Sequence, residues 1–306
     1  MKKREIINLI GISRSKYYNW SLRIGLYNSH NGFIPRSHWL LEEEREAIID
    51  FCKSKVLLGY RRLTYMMIDR DIVYTSPATV YRVMKDAGLI SRWNQGTKTK
   101  KGMGFIQPEK PLEHIHTDIS YINILGTFFF LICILDGYSR MILHFELRAN
   151  MQEYDVEITI QRFLEKYPEA NGNLITDNGS QFISRDFKDF IRESGLNHIR
   201  TSIRHPQSNG KLERFHKTIK DEKIRVSSFI SEIDAREQIA GYIKSYNEER
   251  LHSAIYYLTP KEVFEGKMKI RLDERQKKLD NSRRLRKQKF EFESSLSQYR
   301  DLSISR

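Results

Sequence analysis

The period of apolar and polar positions changes along the chain and divides it into regions. Between residues 113 and 203, three β-rich stretches are joined by tight turns, which predicts an antiparallel meander. Helical and strand patterns then alternate, so we expect an α/β fold in which helices cover a mixed sheet. The stretches are, in order, "EHIHTDISYINI", "GTFFFLICILDGYS", "RMILHFELRA", "QEYDVEITIQRFLEKYP", "NLITDNG", "SRDFKDFIRESG" and "HIRTSI".

The longest apolar run of the chain is "FFFLICIL" at 128–135. A continuous run of this length between turns predicts a strand that is buried on both faces. It is far too short to span a bilayer. We therefore expect no membrane partner.

Residues 1–24 have a helical period instead. The stretch "REIINLIGISRSKYYNW" predicts a short apolar helix, a turn at Gly11 and a second helix capped by Ser13. In a helix–turn–helix the second helix enters the major groove of DNA. An ordinary helical hairpin with a basic face explains the pattern equally well. The second helix presents Arg14, Lys16, Tyr17 and Tyr18.

A second helical region at 40–90 repeats this organisation. Two amphipathic helices, "EEEREAIIDFCKSK" and "GYRRLTYMMIDR", precede a third in "TSPATVYRVMKDAGL". Ser76 is a plausible N-cap of that helix, Pro77 suits its first position and Gly88 its stop. Two such units in tandem predict an all-α DNA-binding region. In the third helix Val80, Val83 and Met84 are expected to face inward, and Thr79, Arg82 and Lys85 outward.

Charge favours a nucleic-acid partner. The 306 residues carry a formal net charge of +13, and 40% of them are hydrophobic, which is enough for a real core. Such an excess of positive charge favours a polyanion, although a basic solvated surface is the plain alternative. The only cysteines, Cys52 and Cys133, cannot form a disulfide framework or a paired-thiol zinc site. The N-terminal stretch makes no convincing signal peptide, so a cytoplasmic protein is expected.

Two further basic segments flank the central region. Residues 91–112 have no helical or strand period and carry Lys98, Lys100 and Lys101, which suits a linker that follows DNA phosphates. The tail at 269–306 is rich in Lys and Arg. It is consistent with DNA-backbone or assembly contacts, and equally with a solvated helix or a disordered end.

Three carboxylates stand out because of their places in these patterns. Asp118 lies inside a strand, Asp177 ends the strand "LIT", and Glu213 lies in the helical stretch "SNGKLERFHKTIKDE". Each has an ordinary explanation. For Asp118 it is an edge position or a salt bridge to a nearby Arg, for Asp177 a turn, and for Glu213 an i,i+4 pair with Lys217. Two acids at strand ends and one on a following helix can nevertheless converge on one point. Such oxygen ligands suit Mg²⁺ or Mn²⁺, and two ions roughly 3.5–4 Å apart can drive phosphoryl transfer.

Several longer motifs strengthen this interpretation. The stretches "HTDIS", "ITDNGSQF" and "HPQSNGKLERFHKTIK" surround the three acids, and "YNEERLHSAIYYLTPKEVFEG" follows at 246–266. Together they resemble the catalytic motifs of DDE transposases and retroviral integrases. With "GYRRLTYMM…TVYRVMKDAGL" upstream, the chain is most similar to bacterial insertion-sequence transposases of the IS-three family, second reading-frame product. The resemblance covers most of residues 1–268.

The resemblance implies an RNase H-like catalytic core at 113–235, with a helical extension at 236–268. It implies that Asp118, Asp177 and Glu213 are catalytic and bind two Mg²⁺ ions, for which Mn²⁺ can substitute. Partners would be double-stranded DNA, both terminal inverted repeats and target, and further copies of the chain on that DNA. Members of this family are often made as a fusion with an upstream reading frame, and the resemblance also implies a nucleoid-associated location. The core residues expected to contact DNA are Gln207, Asn209, Lys217 and Lys220.

Other polar residues near these motifs are assigned no catalytic role. His205 and His216 are not expected to be ligands, because the metal should prefer oxygen. His116 shares a strand face with Asp118 and could line the site. Asp136 also ends a strand, but the resemblance places it outside the triad. Unlike retroviral integrases, this chain cannot build a zinc-binding His/Cys domain from its two isolated cysteines.

Two other functions fit parts of the pattern. A DNA-binding regulator with an inactive integrase-like core would bind element ends without cutting them. A structure-specific nuclease on the same fold would cleave DNA without joining strands. Metal-dependent nicking and strand joining distinguish these from a transposase.

Overall fold

The computed structural model describes residues 3–22, 24–25, 39–90, 107–200 and 210–304. The chain forms two compact units. One consists of residues 1–42 and 280–306, and the other of residues 43–279.

A five-stranded mixed sheet is the centre of the larger unit. Its spatial order is β3-β2-β1-β4-β5. The first three strands form the expected antiparallel meander, while β4 and β5 run parallel to β1. This mixed order, with helices between β3, β4 and β5, is the RNase H-like α/β core that the sequence predicts. The strands are β1 (His114–Ile124), β2 (Thr127–Asp136), β3 (Ile142–Arg148), β4 (Asn173–Thr176) and β5 (Asn197–Arg200).

Helices cover both faces of the sheet and create two hydrophobic cores. On one face α6 (Glu153–Lys166) and α7 (Arg185–Glu193) pack on apolar side chains such as Ile132 and Leu174. On the other face α8 (Gly210–Glu222) and α9 (Glu232–Glu248) pack on side chains that include Cys133. Alternate residues of each strand therefore contribute to different cores.

The long apolar run in β2 is only partly buried. From Leu131 to Leu135 every side chain is inaccessible, as a strand between two helix layers requires. Phe128 is 61% exposed, because the start of the strand extends beyond the helices. The prediction of burial on both faces is therefore correct for the second half of this run only.

The predicted helices of the N-terminal regions are present. α1 (Lys3–Ile10) and α2 (Arg14–Ser21) are joined at Gly11, and the Ser13 hydroxyl caps α2 by accepting from the Lys16 amide at 3.3 Å. The next helices are α3 (Glu42–Lys53), α4 (Tyr60–Asp69) and α5 (Pro77–Asp86), which lie in the larger unit from residue 43 onwards.

The last helix of the three confirms the expectation except at Thr79, which is half-buried and whose hydroxyl lies 3.0 Å from that of Ser76. The Ser76 hydroxyl accepts from the Thr79 amide at 3.3 Å, and Gly88 follows the helix with a φ of 69°. Val80, Val83 and Met84 are buried, while Arg82 and Lys85 are exposed.

Two helices complete the chain, α10 (Pro260–Phe264) and α11 (Met268–Ile304), so the basic tail is helical as far as Ile304. In the described parts of the chain no helix combines the length and the apolarity needed to cross a membrane.

Candidate active site

Neighbouring parallel strands bring two of the three predicted carboxylates together. The last paired residues of β1 and β4 are His116 and Ile175. Asp118 and Asp177 each follow two positions later, so both point to the same side of the sheet as those residues. Asp118 lies opposite Cys133 of β2, whose side chain belongs to the core beneath α8 and α9. The two carboxylates therefore share the face that α8 covers.

Each carboxylate is fixed by a backbone amide. Asp118 Oδ1 accepts a hydrogen bond from the Ile119 amide at 2.9 Å. Asp177 Oδ1 accepts one from Gly179 at 3.0 Å, in the turn that the Asp-Asn-Gly triplet predicts. Burial raises the pKa of Asp177, the nearby Asp118 raises it further, and the Gly179 hydrogen bond lowers it. The two acids therefore repel each other, which favours a cation between them.

Helix α8 places Glu213 on the same side as this pair. Leu212, Phe215 and Ile219 anchor the helix in the core and leave Glu213 exposed. One turn beyond Glu213, His216 is buried, and its Nδ1 lies 3.5 Å from Asp118 Oδ2. Residues three apart share one face of a helix, so Glu213 lies on the face of α8 that meets Asp118.

The three acids do not form a closed metal cluster. Within the described residues, no three Asp, Glu, His or Cys side chains are grouped so that they could hold a metal ion. Asp118 and Asp177 thus lie near each other. Glu213 shares its helix face with His216, which contacts Asp118. The segment 201–209 that leads into α8 is not among the described residues. The triad stays a prediction.

The predicted DNA contacts fall into three groups. On α2, Arg14 and Lys16 are exposed and Tyr17 is half-buried, and on α5 Arg82 and Lys85 are exposed. On α8, Lys217 is exposed and Lys220 half-buried, on the face that carries Glu213. The remaining predicted contacts lie outside the described residues; they are Lys98, Lys100, Lys101, Gln207 and Asn209.

Asp136 is a structural acid. It is completely buried, and its carboxylate accepts hydrogen bonds from the Leu112 amide at 2.9 Å and from the Ser139 amide and hydroxyl at 2.7 and 2.6 Å. These bonds close the turn after β2. These three hydrogen bonds engage both carboxylate oxygens of Asp136.

His216 is the site residue that sequence reasoning undervalued. Its spacing of three residues from Glu213 could have indicated a place in the site, because residues three apart lie on one helix face. His116 is fully buried, and its Nε2 faces the backbone of Gly137 rather than solvent. His205 lies in the undescribed segment 201–209.

Comparison with family profiles identifies the region that holds these residues. Two profiles described as "Integrase core domain" match residues 108–206 and 194–260. The first match includes Asp118 and Asp177, and the second includes Glu213.

Curated relatives come from bacterial insertion elements. A Lactococcus lactis transposase for insertion sequence element IS904 is 27% identical over 237 residues, which cover 73% of this chain and 92% of the relative. An uncharacterized insertion element IS136 protein from Agrobacterium fabrum is 32% identical over 142 residues, which cover 44% of this chain and 72% of the relative. A putative Escherichia coli transposase, InsD for insertion element IS2E, is 31% identical over 134 residues, which cover 42% and 62%.

Among solved structures, the catalytic core domain of BIV integrase aligns with a TM-score of 0.42 at 18% identity, covering 53% of this chain and 99% of that one. The HTLV-2 integrase catalytic core domain in complex with magnesium aligns with a TM-score of 0.38 at 16% identity, covering 50% and 95%.

Proposed function

The chain belongs to the integrase-core family of insertion-element proteins, and from this we propose that it is a DDE transposase of the IS-three family. It binds the terminal repeats of its element and catalyses metal-dependent cleavage of the DNA ends and their transfer to a target. The observation that carries this proposal is the proximity of Asp118, within β1, and Asp177, directly after the parallel strand β4, in the matched core.

The donor set suits a hard divalent cation. Asp118 and Asp177 offer carboxylate oxygens that repel each other, and a cation would remove that repulsion. We propose that these two residues and Glu213 hold two Mg²⁺ ions, with Mn²⁺ able to substitute. When bound, such ions activate the attacking oxygen and stabilise the leaving oxygen of a phosphodiester.

The residues of the chain supply position and charge for two successive reactions. In the first, water attacks the phosphodiester at an element end, a P–O bond forms, and the opposite P–O bond breaks to free a 3′ hydroxyl. In the second, that hydroxyl attacks a target phosphodiester and displaces another 3′ oxygen. Lys217 and Lys220, on the helix face of Glu213, would hold the phosphates of the bound end.

Partners follow from the same proposal. The exposed basic residues of α2 and α5 would read the terminal repeats as helix–turn–helix recognition helices. Two element ends and a target must meet in one reaction, so copies of the chain would assemble on DNA. A fusion with an upstream reading frame would add a further DNA-binding segment.

The test compares wild type and Glu213→Gln on labelled DNA that carries the terminal repeats, with Mg²⁺ or EDTA. Nicked 3′ ends and joined products should require Mg²⁺ and disappear in the variant. Glu237→Gln is the matched control, because Glu237 is an exposed glutamate of α9 with the same charge change. Cleavage by Glu213→Gln at the wild-type rate contradicts the proposal. Tight binding without cleavage by wild type favours a DNA-binding regulator instead.

A further inference from the structure

The charges of four arginines act on one half-buried imidazole, that of His252. Burial and the charges of Arg250, Arg140, Arg62 and Arg214 together lower the pKa of His252 to about 3. Arg62 lies in α4, Arg140 in the turn between β2 and β3, Arg214 in α8, and Arg250 directly after α9. The fold therefore assembles a positively charged cluster from segments that are far apart in sequence.

Specific contacts hold this cluster in place. Lys211 Nζ donates to the Gly137 carbonyl at 2.9 Å, which ties the turn that bears Arg140 to the first turn of α8. Arg250 lies 5.5 Å from the ring centroid of Tyr246, and that ring lies 6.0 Å from the His252 ring. Asn247 exchanges two hydrogen bonds of 2.9 Å with the backbone of Ile142, which fixes α9 against β3.

The acids near the cluster are already engaged. Glu222 accepts from Arg250 Nη2 at 2.7 Å and from Arg250 Nε at 3.0 Å, and it also accepts from the Tyr242 hydroxyl. Asp136 is buried, and both of its carboxylate oxygens accept the hydrogen bonds described above. The low pKa of His252 keeps its imidazole neutral, so it adds no positive charge to the cluster.

Three of the arginines have no acid within ion-pair distance, although the charge of Glu222 acts on Arg62 and that of Asp136 acts on Arg140. Neither Arg62, Arg140 nor Arg214 forms an ion pair with any residue that the structure describes. The Nε atom of Arg140 is buried without a hydrogen-bond partner. Solvent can screen the exposed Arg214, but Arg62 and Arg140 are half-buried. Unpaired cations that repel one another are costly to hold together unless an anion joins them.

We propose that Arg62, Arg140 and Arg214 form a binding site for a phosphate group of the DNA backbone. Guanidinium groups bind phosphate oxygens in bidentate fashion. Arg214 follows Glu213 on α8, so a phosphate bound there lies beside the helix that carries the predicted catalytic glutamate. Arg62 belongs to the α3–α5 region, so one phosphate joins that region to the core. This inference rests on the proposed function, which supplies the DNA.

The test measures binding of the full chain to labelled 30-base-pair duplexes of two unrelated sequences, by fluorescence anisotropy in EDTA over a range of salt. Arg140→Gln and Arg214→Gln should each weaken binding to both sequences. The slope of log K against log salt should fall by about 0.9 when the phosphate is lost. Because both arginines share one phosphate, the double variant should lose less than the product of the two single fold-changes.

Arg192→Gln is the control, since Arg192 is an exposed arginine of α7 on the other face of the sheet. The site is refuted if folded Arg140→Gln and Arg214→Gln bind with the affinity and salt slope of wild type, or if their losses multiply. If Arg140→Gln unfolds, Arg62→Gln takes its place in the pair with the exposed Arg214. Coupled binding losses without any Mg²⁺-dependent cleavage would uphold this site and refute the transposase proposal alone.

Discussion

The guanidinium of Arg275 is buried against the carboxylate of Asp69. Arg275 Nε donates to Asp69 Oδ1 at 2.8 Å and Nη2 to Oδ2 at 2.6 Å, while only 4% of the arginine is exposed. The same guanidinium donates to the carbonyl oxygens of Tyr256 at 3.0 Å and Tyr257 at 2.7 Å. Both tyrosines have a φ of 57°, a left-handed conformation that points their carbonyls at Arg275. One side chain thus joins α4, the loop before α10, and α11.

Replacing Arg275 by Met should destabilise the larger unit. The substitution leaves the Asp69 carboxylate and two carbonyl oxygens without their donor in a buried place, which typically costs about 3–5 kcal/mol. Denaturant unfolding monitored by circular dichroism measures this loss. Arg185→Met should have no measurable effect, because Arg185 is 93% exposed and meets Asp189 only at 3.8 Å. Equal stability of wild type and Arg275→Met would show that the pair is dispensable.

His216 should position Asp118 for metal binding. Its Nδ1 lies 3.5 Å from Asp118 Oδ2, and a partner that orients a ligand carboxylate typically contributes about 10–100-fold in metal affinity. His216→Ala should weaken Mn²⁺ binding by that order in calorimetry and raise the Mg²⁺ concentration needed for cleavage. His216→Asn should recover part of the loss, because an amide can reach the same oxygen.

A control distinguishes positioning from a general effect of removing a histidine. His144→Ala removes a partly buried imidazole of β3, whose neighbour across the strands, Ile134, belongs to the core of the opposite face. It should leave Mn²⁺ affinity unchanged. If both alanine variants bind Mn²⁺ like wild type, His216 does not act on the ligand.

The N-cap of α5 should contribute to the stability of the predicted recognition helix. Ser76→Ala removes the acceptor of the Thr79 amide and should cost about 1 kcal/mol, with weaker DNA binding as a consequence. Ser76→Asp, which keeps an acceptor and adds a charge that suits a helix N-terminus, should retain wild-type stability. The measurement is the midpoint of thermal unfolding for wild type and the two variants. Identical midpoints would exclude a role for the cap in stability.

Sequence patterns predicted the elements of this fold because each pattern reflects a local physical requirement. The alternation in β1 reflects its two faces, and the Ser76, Pro77 and Gly88 signals reflect the ends of one helix. Asp118 and Asp177 could be predicted as neighbours because their strands were expected to be adjacent, but Asp118 lies within β1 and not at its end. The burial of Phe128 was predicted wrongly, because an apolar run does not indicate where the helices that cover a sheet end.

Contacts between distant segments could not be predicted in the same way. Arg275 and Asp69 are ordinary charged residues in amphipathic helices, and neither pattern indicates that they meet. The contact of His216 with Asp118 depends on how α8 crosses β1, which periodicity does not specify. The charges around His252 likewise arise only when four segments have packed together.

His252 should make the protein sensitive to acid. Burial, and then the charges of Arg250, Arg140, Arg62 and Arg214, lower its pKa to about 3, whereas an unfolded histidine titrates near 6.5. A lowered folded pKa means that the unfolded state binds the proton more readily. The stability that the folded chain gains from a neutral His252 is therefore fully present above about pH 6.5. It is lost as the pH falls from 6.5 towards 3, because protonation then favours the unfolded chain.

The loss should approach about 1.4 kcal/mol per pH unit for this one group. Urea unfolding at pH 7.5, 6.5, 5.5 and 4.5 measures it as the difference between wild type and His252→Gln, which cannot be protonated in this range. The difference should shift in favour of the variant as the pH falls, because only wild type must exclude a proton. A difference that is the same at all four values would show that His252 is protonated as easily in the folded chain as in the unfolded one, and that the surrounding arginines do not act on it.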